Sequence, residues 1–299
     1  MRRELIVLLF AIVIVETKIT INVTAGKNTS DVEINYSGYD LDIIGDKEIG
    51  LFNINKINLK KAVKNKYDTL PRDVFLKSPT PWGDLYKTYN WEQVSRLLKV
   101  KSARLKESTV KSMVVLSQHF ENKSNFTIKA NAGISQTVEN TISTTWSRNK
   151  EATVSQDIEY DLNVILAKIS GTTSFSYSSS VGKSEEKSER VTIGTTTNVE
   201  IELQPGQAVT AVLSANRYNL EIEVLYVVTL RGNVAVNFRK AYNGHHFYGP
   251  SIKSVLTSGG LNTEVTITET IQLGLYTDGS LKVYDKVTGL REPYKPFSY

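Results

Sequence analysis

Between residues 153 and 177 the chain reads TVSQDIEYDLNVILAKISGTTSFSY, and its apolar positions change phase midway. Val154, Ile158, Tyr160, Leu162 and Val164 fall on even numbers, whereas Ala167, Ile169, Phe175 and Tyr177 fall on odd ones. Alternation marks a half-buried strand, so the reversal predicts two strands joined by a tight turn. With Ile165 and Leu166 as the loop, Val164 faces Ala167, Leu162 faces Ile169, Tyr160 faces Gly171, Ile158 faces Thr173 and Val154 faces Tyr177. Opposite residues in an antiparallel pair share a face, so a two-residue loop demands the exchange of even for odd. The other face collects Ser155, Asp157, Glu159, Asp161, Asn163, Lys168, Ser170, Thr172, Ser174 and Ser176.

Each arm is about 11 residues long, the length of a tilted transmembrane strand. Copies of such a ribbon can close into a barrel, whose strands have no edge and leave no backbone group unpaired in lipid. The apolar face would then meet lipid and Asp157, Glu159, Asp161, Asn163 and Lys168 would line water. An Ile-Leu tip suits a segment that enters the bilayer first and is a poor turn for a soluble hairpin. The alternative is a hairpin that stays packed on the sheet of a secreted β-protein.

The flanking segments are also strand-like. SMVVLSQHF and NFTIKANAGISQTVENTISTTW are Thr- and Ser-rich, and ERVTIGTTTNVEIEL alternates through Val191, Ile193, Val199, Ile201 and Leu203. After a Pro205-Gly206 turn come two further alternating runs, Val209 to Leu213 and Leu220 to Leu230. LGLYTDGSLKVY reads as a hairpin turning at Asp278-Gly279. Residues 26–110 are mixed, with Pro79 and Pro81 leading into a short helix that carries Tyr86, Tyr89, Val94, Leu97 and Leu98. Strands begin to dominate after Lys111. The expected architecture is mainly β, an elongated module over 111–284 with a small α+β head over 26–110 and a loose tail over 285–299.

Composition adds destination. Arg2 and Arg3 precede an apolar run from Leu5 to Val15, the layout of a secretory signal and too short to span a bilayer. Cleavage after Ala25 gives a signal peptide over 1–25; a site near Thr17 fits almost as well. Of the 299 residues none is cysteine, which excludes disulfides and thiolate chemistry. Cleavage after Ala25 lowers the formal charge from +5 to +4, no footprint for nucleic acid. Asn28, Asn35, Asn122 and Asn125 match the glycosylation pattern and agree with export.

Enzymatic constellations are missing. There is no nucleophile elbow, and the histidines are His119, His245 and His246. Adjacent His245 and His246 on a strand point to opposite faces, so neither a metal nor another cofactor is expected. Trp82, Tyr86, Tyr89 and Trp91 cluster in the head. Core packing is their ordinary use, and a platform for a sugar or lipid headgroup is the sharper one.

An amphipathic hairpin flanked by long Ser/Thr-rich strands, then TTTNVEIELQPGQAVTAVL, resembles the aerolysin-like β-pore-forming proteins of the epsilon-toxin and mosquitocidal-toxin branch. PTPWGDLYKTYNWEQV and YNGHHFYG look like arthropod members, some of them venom components. The resemblance covers roughly Lys111 to Lys282. It implies a secreted toxin that binds a glycan, lipid or protein receptor, assembles into a ring of about six to eight copies and inserts hairpins 154–177 as one barrel in the target-cell membrane. A secreted carbohydrate- or lipid-binding β-protein that never inserts is the alternative.

Overall fold

The computed structural model describes residues 18–26, 31–147, 159–168, 171–194 and 199–286. In chain order the first elements are β1 (Ile19–Ala25), β2 (Val32–Ser37), β3 (Asp40–Ile43), α1 (Asp46–Leu51), α2 (Lys56–Tyr67), β4 (Asp73–Phe75) and α3 (Pro81–Thr88). The strands β5 (Ser95–Glu121), β6 (Ile128–Asn131), β7 (Ser135–Trp146), β8 (Glu159–Lys168), β9 (Gly171–Ser180), β10 (Glu186–Gly194) and β11 (Glu200–Leu203) follow. The chain continues through β12 (Ala208–Arg231), β13 (Ala235–Tyr242), β14 (His245–Tyr248), α4 (Ile252–Ser258) and β15 (Glu264–Asp285).

The spine is a six-stranded sheet in the order β10-β7-β15-β12-β5-β3, antiparallel throughout. Its central strand β12 has 24 residues and, at about 3.4 Å per residue, spans roughly 80 Å. Alternation along β12 buries Ile222, Val224, Tyr226 and Val228 in a large core shared with the head. Nearer its start, Val209, Ala211 and Leu213 join a second core with Ile134, Ile193 and Leu281. The short β6–β11 pair carries Leu203 into that second core. A four-stranded sheet, β2-β1-β8-β9, packs over the large core.

The head draws on both ends of the chain. β4 pairs with β13, which pairs with β14, and Ala62 and Val63 of α2 share a core with Val255 and Leu256 of α4. Besides the shared core, an ion triad ties it to the spine: buried Arg96 on β5 reaches buried Glu48 on α1 at 3.2 Å and also the partly exposed Asp40 on β3.

Five sequence expectations about the fold are corrected by the structure. The helix stops at Thr88, and Val94, Leu97 and Leu98 belong to the approach and start of β5, which also runs through the expected boundary at residue 110. Asp278 and Gly279 do not turn a hairpin; together they oppose the single residue Ala215 in a β-bulge, since Ser214 pairs with Ser280 and Asn216 with Thr277 along one continuous strand. Residues 19–25, which cleavage after Ala25 would remove, are an internal strand with Ile19, Ile21 and Val23 at 0% exposure. The turn of the 154–177 hairpin is displaced, and its new place belongs to the geometry of the site.

Candidate functional site

β8 and β9 form the expected two-faced ribbon in a shifted register. Leu162 faces Tyr177, Val164 faces Phe175, Ile165 faces Ser174 and Leu166 faces Thr173, with Lys168 opposite Gly171 as the last pair. Ile165 and Leu166 therefore lie within the paired arm, four residues before the reversal. The shift is even, so each residue keeps the face that alternation assigned to it. Tyr160, Leu162 and Val164 are fully buried and Tyr177 nearly so, while Phe175 is half-buried. Val154, Asp157, Ile158 and Ile169 lie outside the described residues, as do the side chains of Leu166, Ala167 and Lys168.

β1 holds this ribbon from one side. It pairs in parallel with β8 from Ile19–Tyr160 to Ala25–Leu166 and antiparallel with β2 on its other edge. Inward, Ile19, Ile21 and Val23 extend the apolar layer of the hairpin. Outward, Lys18 forms an ion pair with Asp161 at 2.9 Å, and Asn163 donates to the Asn22 side chain at 3.0 Å. Ser178 and Ser176 of β9 donate to Asp161 and Asn163. Asp161 and Asn163, expected on a water-facing surface, are thus held by Lys18 just before β1 and by side chains of β1 and β9, with Glu159 exposed beside them.

Under the hairpin sits a buried acid. Glu269 of β15 is at 0% exposure; Tyr160 donates to its Oε1 and Tyr226 of β12 donates to its Oε2 at 2.8 Å. Trp146 of β7 packs on Tyr226 with ring centroids 5.1 Å apart and on Tyr160 at 6.5 Å. Burial raises the Glu269 carboxyl to about 7, and the two phenol donors only partly offset this.

The aromatic residues of the head divide. Tyr86 is core: its hydroxyl donates to the carbonyls of Phe75 at 2.9 Å and Asn233 at 3.0 Å, which corrects its assignment as a receptor contact. Trp82 and Tyr89 are exposed, at 45% and 47%. Tyr89 stacks on Trp91 at 4.8 Å, and Phe247 of β14 lies against Trp82 at 5.3 Å and Tyr89 at 6.3 Å. Trp91 is half-buried against Gly249, where a Cβ would come within 2.4 Å of the indole. Trp82, Tyr89, Trp91 and Phe247 therefore form one partly open aromatic surface.

Of the glycosylation matches, Asn35 and Asn125 are exposed and Asn28 lies outside the described residues. Asn122 is at 0% exposure, and its amide nitrogen donates to the carbonyls of Phe126 and Leu203. That nitrogen is the atom a glycan would need, so Asn122 is corrected from acceptor site to structural residue. His119 contacts Thr210, and His246 contacts the Phe238 carbonyl at 2.8 Å. Among the described residues no group of His, Asp and Glu is arranged to hold a metal, and no helix is long and apolar enough to cross a membrane.

No family model matches the chain. U-megalopygitoxin(8)-Mc8 of Megalopyge crispata is 37% identical over 261 residues, covering 87% of this chain and 90% of its own. U-megalopygitoxin(8)-Mo12 of Megalopyge opercularis is 38% identical over 253 residues, covering 85% and 87%. The chain belongs to the U-megalopygitoxin(8) family. Among solved structures, the parasporin-2 toxin of Bacillus thuringiensis, which recognizes cancer cells, matches with a TM-score of 0.58 at 17% identity, over 87% of this chain and 100% of that one. The U-megalopygitoxin(8) chain thus has the mainly β, aerolysin-like fold that its hairpin and long strands implied.

In this U-megalopygitoxin(8) toxin, sequence reasoning missed β1, Trp146, Tyr226 and Glu269. Glu269 had a signal: it occupies the apolar phase of β15, between Ile267 and Ile271. A lone acid there must be buried or break the pattern.

Proposed function

We propose that the protein is a secreted toxin that assembles on a target-cell membrane and inserts the β8–β9 hairpin into a transmembrane β-barrel pore. What carries this reading is the ribbon itself: one apolar face stored against the core, one polar face held by a few side chains, and β9 at the edge of its sheet. Release exposes a surface that lipid accepts and water does not. Copies joined edge to edge pair every backbone group, which a lone hairpin in lipid cannot do. In a ring of about six to eight copies the polar faces enclose the channel. Trp82, Tyr89 and Trp91 form the surface for a glycan, lipid or protein receptor, since such rings combine apolar area with a polar edge.

The test uses the chain's lack of native cysteine. Asn22→Cys with Asn163→Cys places two thiols where side-chain amides now meet at 3.0 Å, on paired residues of β1 and β8. The oxidised protein is expected to bind target cells without releasing dye, and a reductant to restore release. Equal dye release by oxidised and reduced forms refutes insertion of this hairpin. A second reading, a secreted carbohydrate- or lipid-binding protein that stays folded, is favoured by the aromatic surface alone. Binding without leakage in the untethered protein would select it.

A further inference from the structure

Glu269 joins two bodies. Its carboxyl is shared between Tyr160, on the hairpin, and Tyr226, on the spine, and among the described residues no lysine, arginine or histidine forms an ion pair with it. The elements around it supply apolar rings, phenols and one hydroxyl, that of Ser179 beside Tyr160. β7 contributes Trp146, opposite Glu269 in the ladder; β12 contributes Tyr226; β8 contributes Tyr160. Tyr177 of β9 points its hydroxyl toward Glu185, 3.5 Å away, and Glu185 is itself paired with Lys183 and Lys187. Lys18 and Asp161 pair with each other on the outward side of the hairpin. A buried acid without a cation favours its neutral form, and a neutral carboxyl keeps both contacts because a phenol accepts as well as donates.

We propose that Glu269 is a proton-dependent latch: with its proton it holds the hairpin to the spine through Tyr160, and loss of that proton loosens the hairpin. The inference rests on the reading of β8–β9 as the element that leaves. Its direction follows from the carboxyl lying at about 7 when latched against an ordinary 4.5. The latched state binds the proton more tightly, so the latch is fully effective below pH 4.5, weakens as pH rises to 7 and stays weak above. Tyr226, raised far by burial, keeps its proton throughout. Between pH 5 and pH 8 the open fraction should rise by roughly one to two orders of magnitude, as those two values set.

Hydrogen exchange of the full chain in solution reads this without membranes. Amides of β8 and β9, corrected for intrinsic exchange, should open roughly 10- to 100-fold more at pH 8 than at pH 5. Glu269→Gln should flatten that dependence. Tyr226→Phe removes a donor that favours the carboxylate and should shift the midpoint upward, which also decides the matter if Glu269→Gln does not fold. Opening independent of pH in the natural chain, or equally dependent in Glu269→Gln, overturns the latch. Dye release measured alongside separates the two claims. Leakage with pH-independent hairpin opening leaves the pore and removes the latch; pH-dependent opening with no leakage on any membrane does the reverse.

Discussion

Starting the chain at Gly26 instead of Lys18 removes β1. Ile19, Ile21 and Val23 are all at 0% exposure, and each such side chain contributes about 1.5–3 kcal/mol by burial, so together they contribute roughly 5–9 kcal/mol. The deletion also strips β2 and β8 of the ladder that each makes with β1. A typical domain has only about 5–15 kcal/mol in all. The secreted protein should therefore begin before Ile19, at the site near Thr17. Intact-mass measurement of the product from insect cells reads that end directly. Guanidinium unfolding of chains beginning at Lys18 and at Gly26 supplies the energy: the shorter chain should lose at least about 5 kcal/mol or fail to fold. A mature product beginning at Gly26 with undiminished stability would refute the reasoning.

Arg96→Leu strands Glu48 in the head without its cation and should cost about 3–5 kcal/mol in guanidinium unfolding, whereas a cost under about 1 kcal/mol would mean the triad is well solvated. Trp82→Ala with Tyr89→Ala should reduce binding to target cells and leave the chain folded by circular dichroism, since about half of each residue is exposed. Tyr86→Phe should do the opposite, costing about 1–2 kcal/mol as two carbonyls lose their donor, with cell binding intact. In planar bilayers under a salt gradient the pore should prefer cations, because Asp157, Glu159 and Asp161 outnumber Lys168 on the polar face. A reversal potential of the opposite sign would place another surface in the channel.

Much of the fold is legible in the order of residues, because alternation reports which face is buried whatever covers it. The inward positions of β8, β12 and β15 follow from period two alone. Register is different. Moving the hairpin turn by four residues leaves every residue on its face, so the pattern cannot choose between Ile165-Leu166 and a later reversal. The local turn chemistry at Asp278-Gly279 is real, yet a bulge in a long ladder uses the same residues. Ile19, Ile21, Val23 and Ala25 also alternate, but they adjoin a signal-like run whose strength masks them. Tyr86 and Asn122 show a further limit. Which aromatic ring or asparagine is buried depends on contacts with residues 147 and 81 positions away, and no short window holds them.

The parallel pairing of β1 with β8 has a consequence for synthesis. Ile19 leaves the ribosome long before Tyr160, and the central strand β12 waits for β15, which closes the described chain. Contacts so distant along the chain form slowly, because a large loop must close before any of them is gained. While the chain is being made, β1 and the hairpin both lack the surface that covers them. Until β12 and β15 are made, the producing cell thus carries a form of the chain whose β1 and hairpin have their apolar faces uncovered.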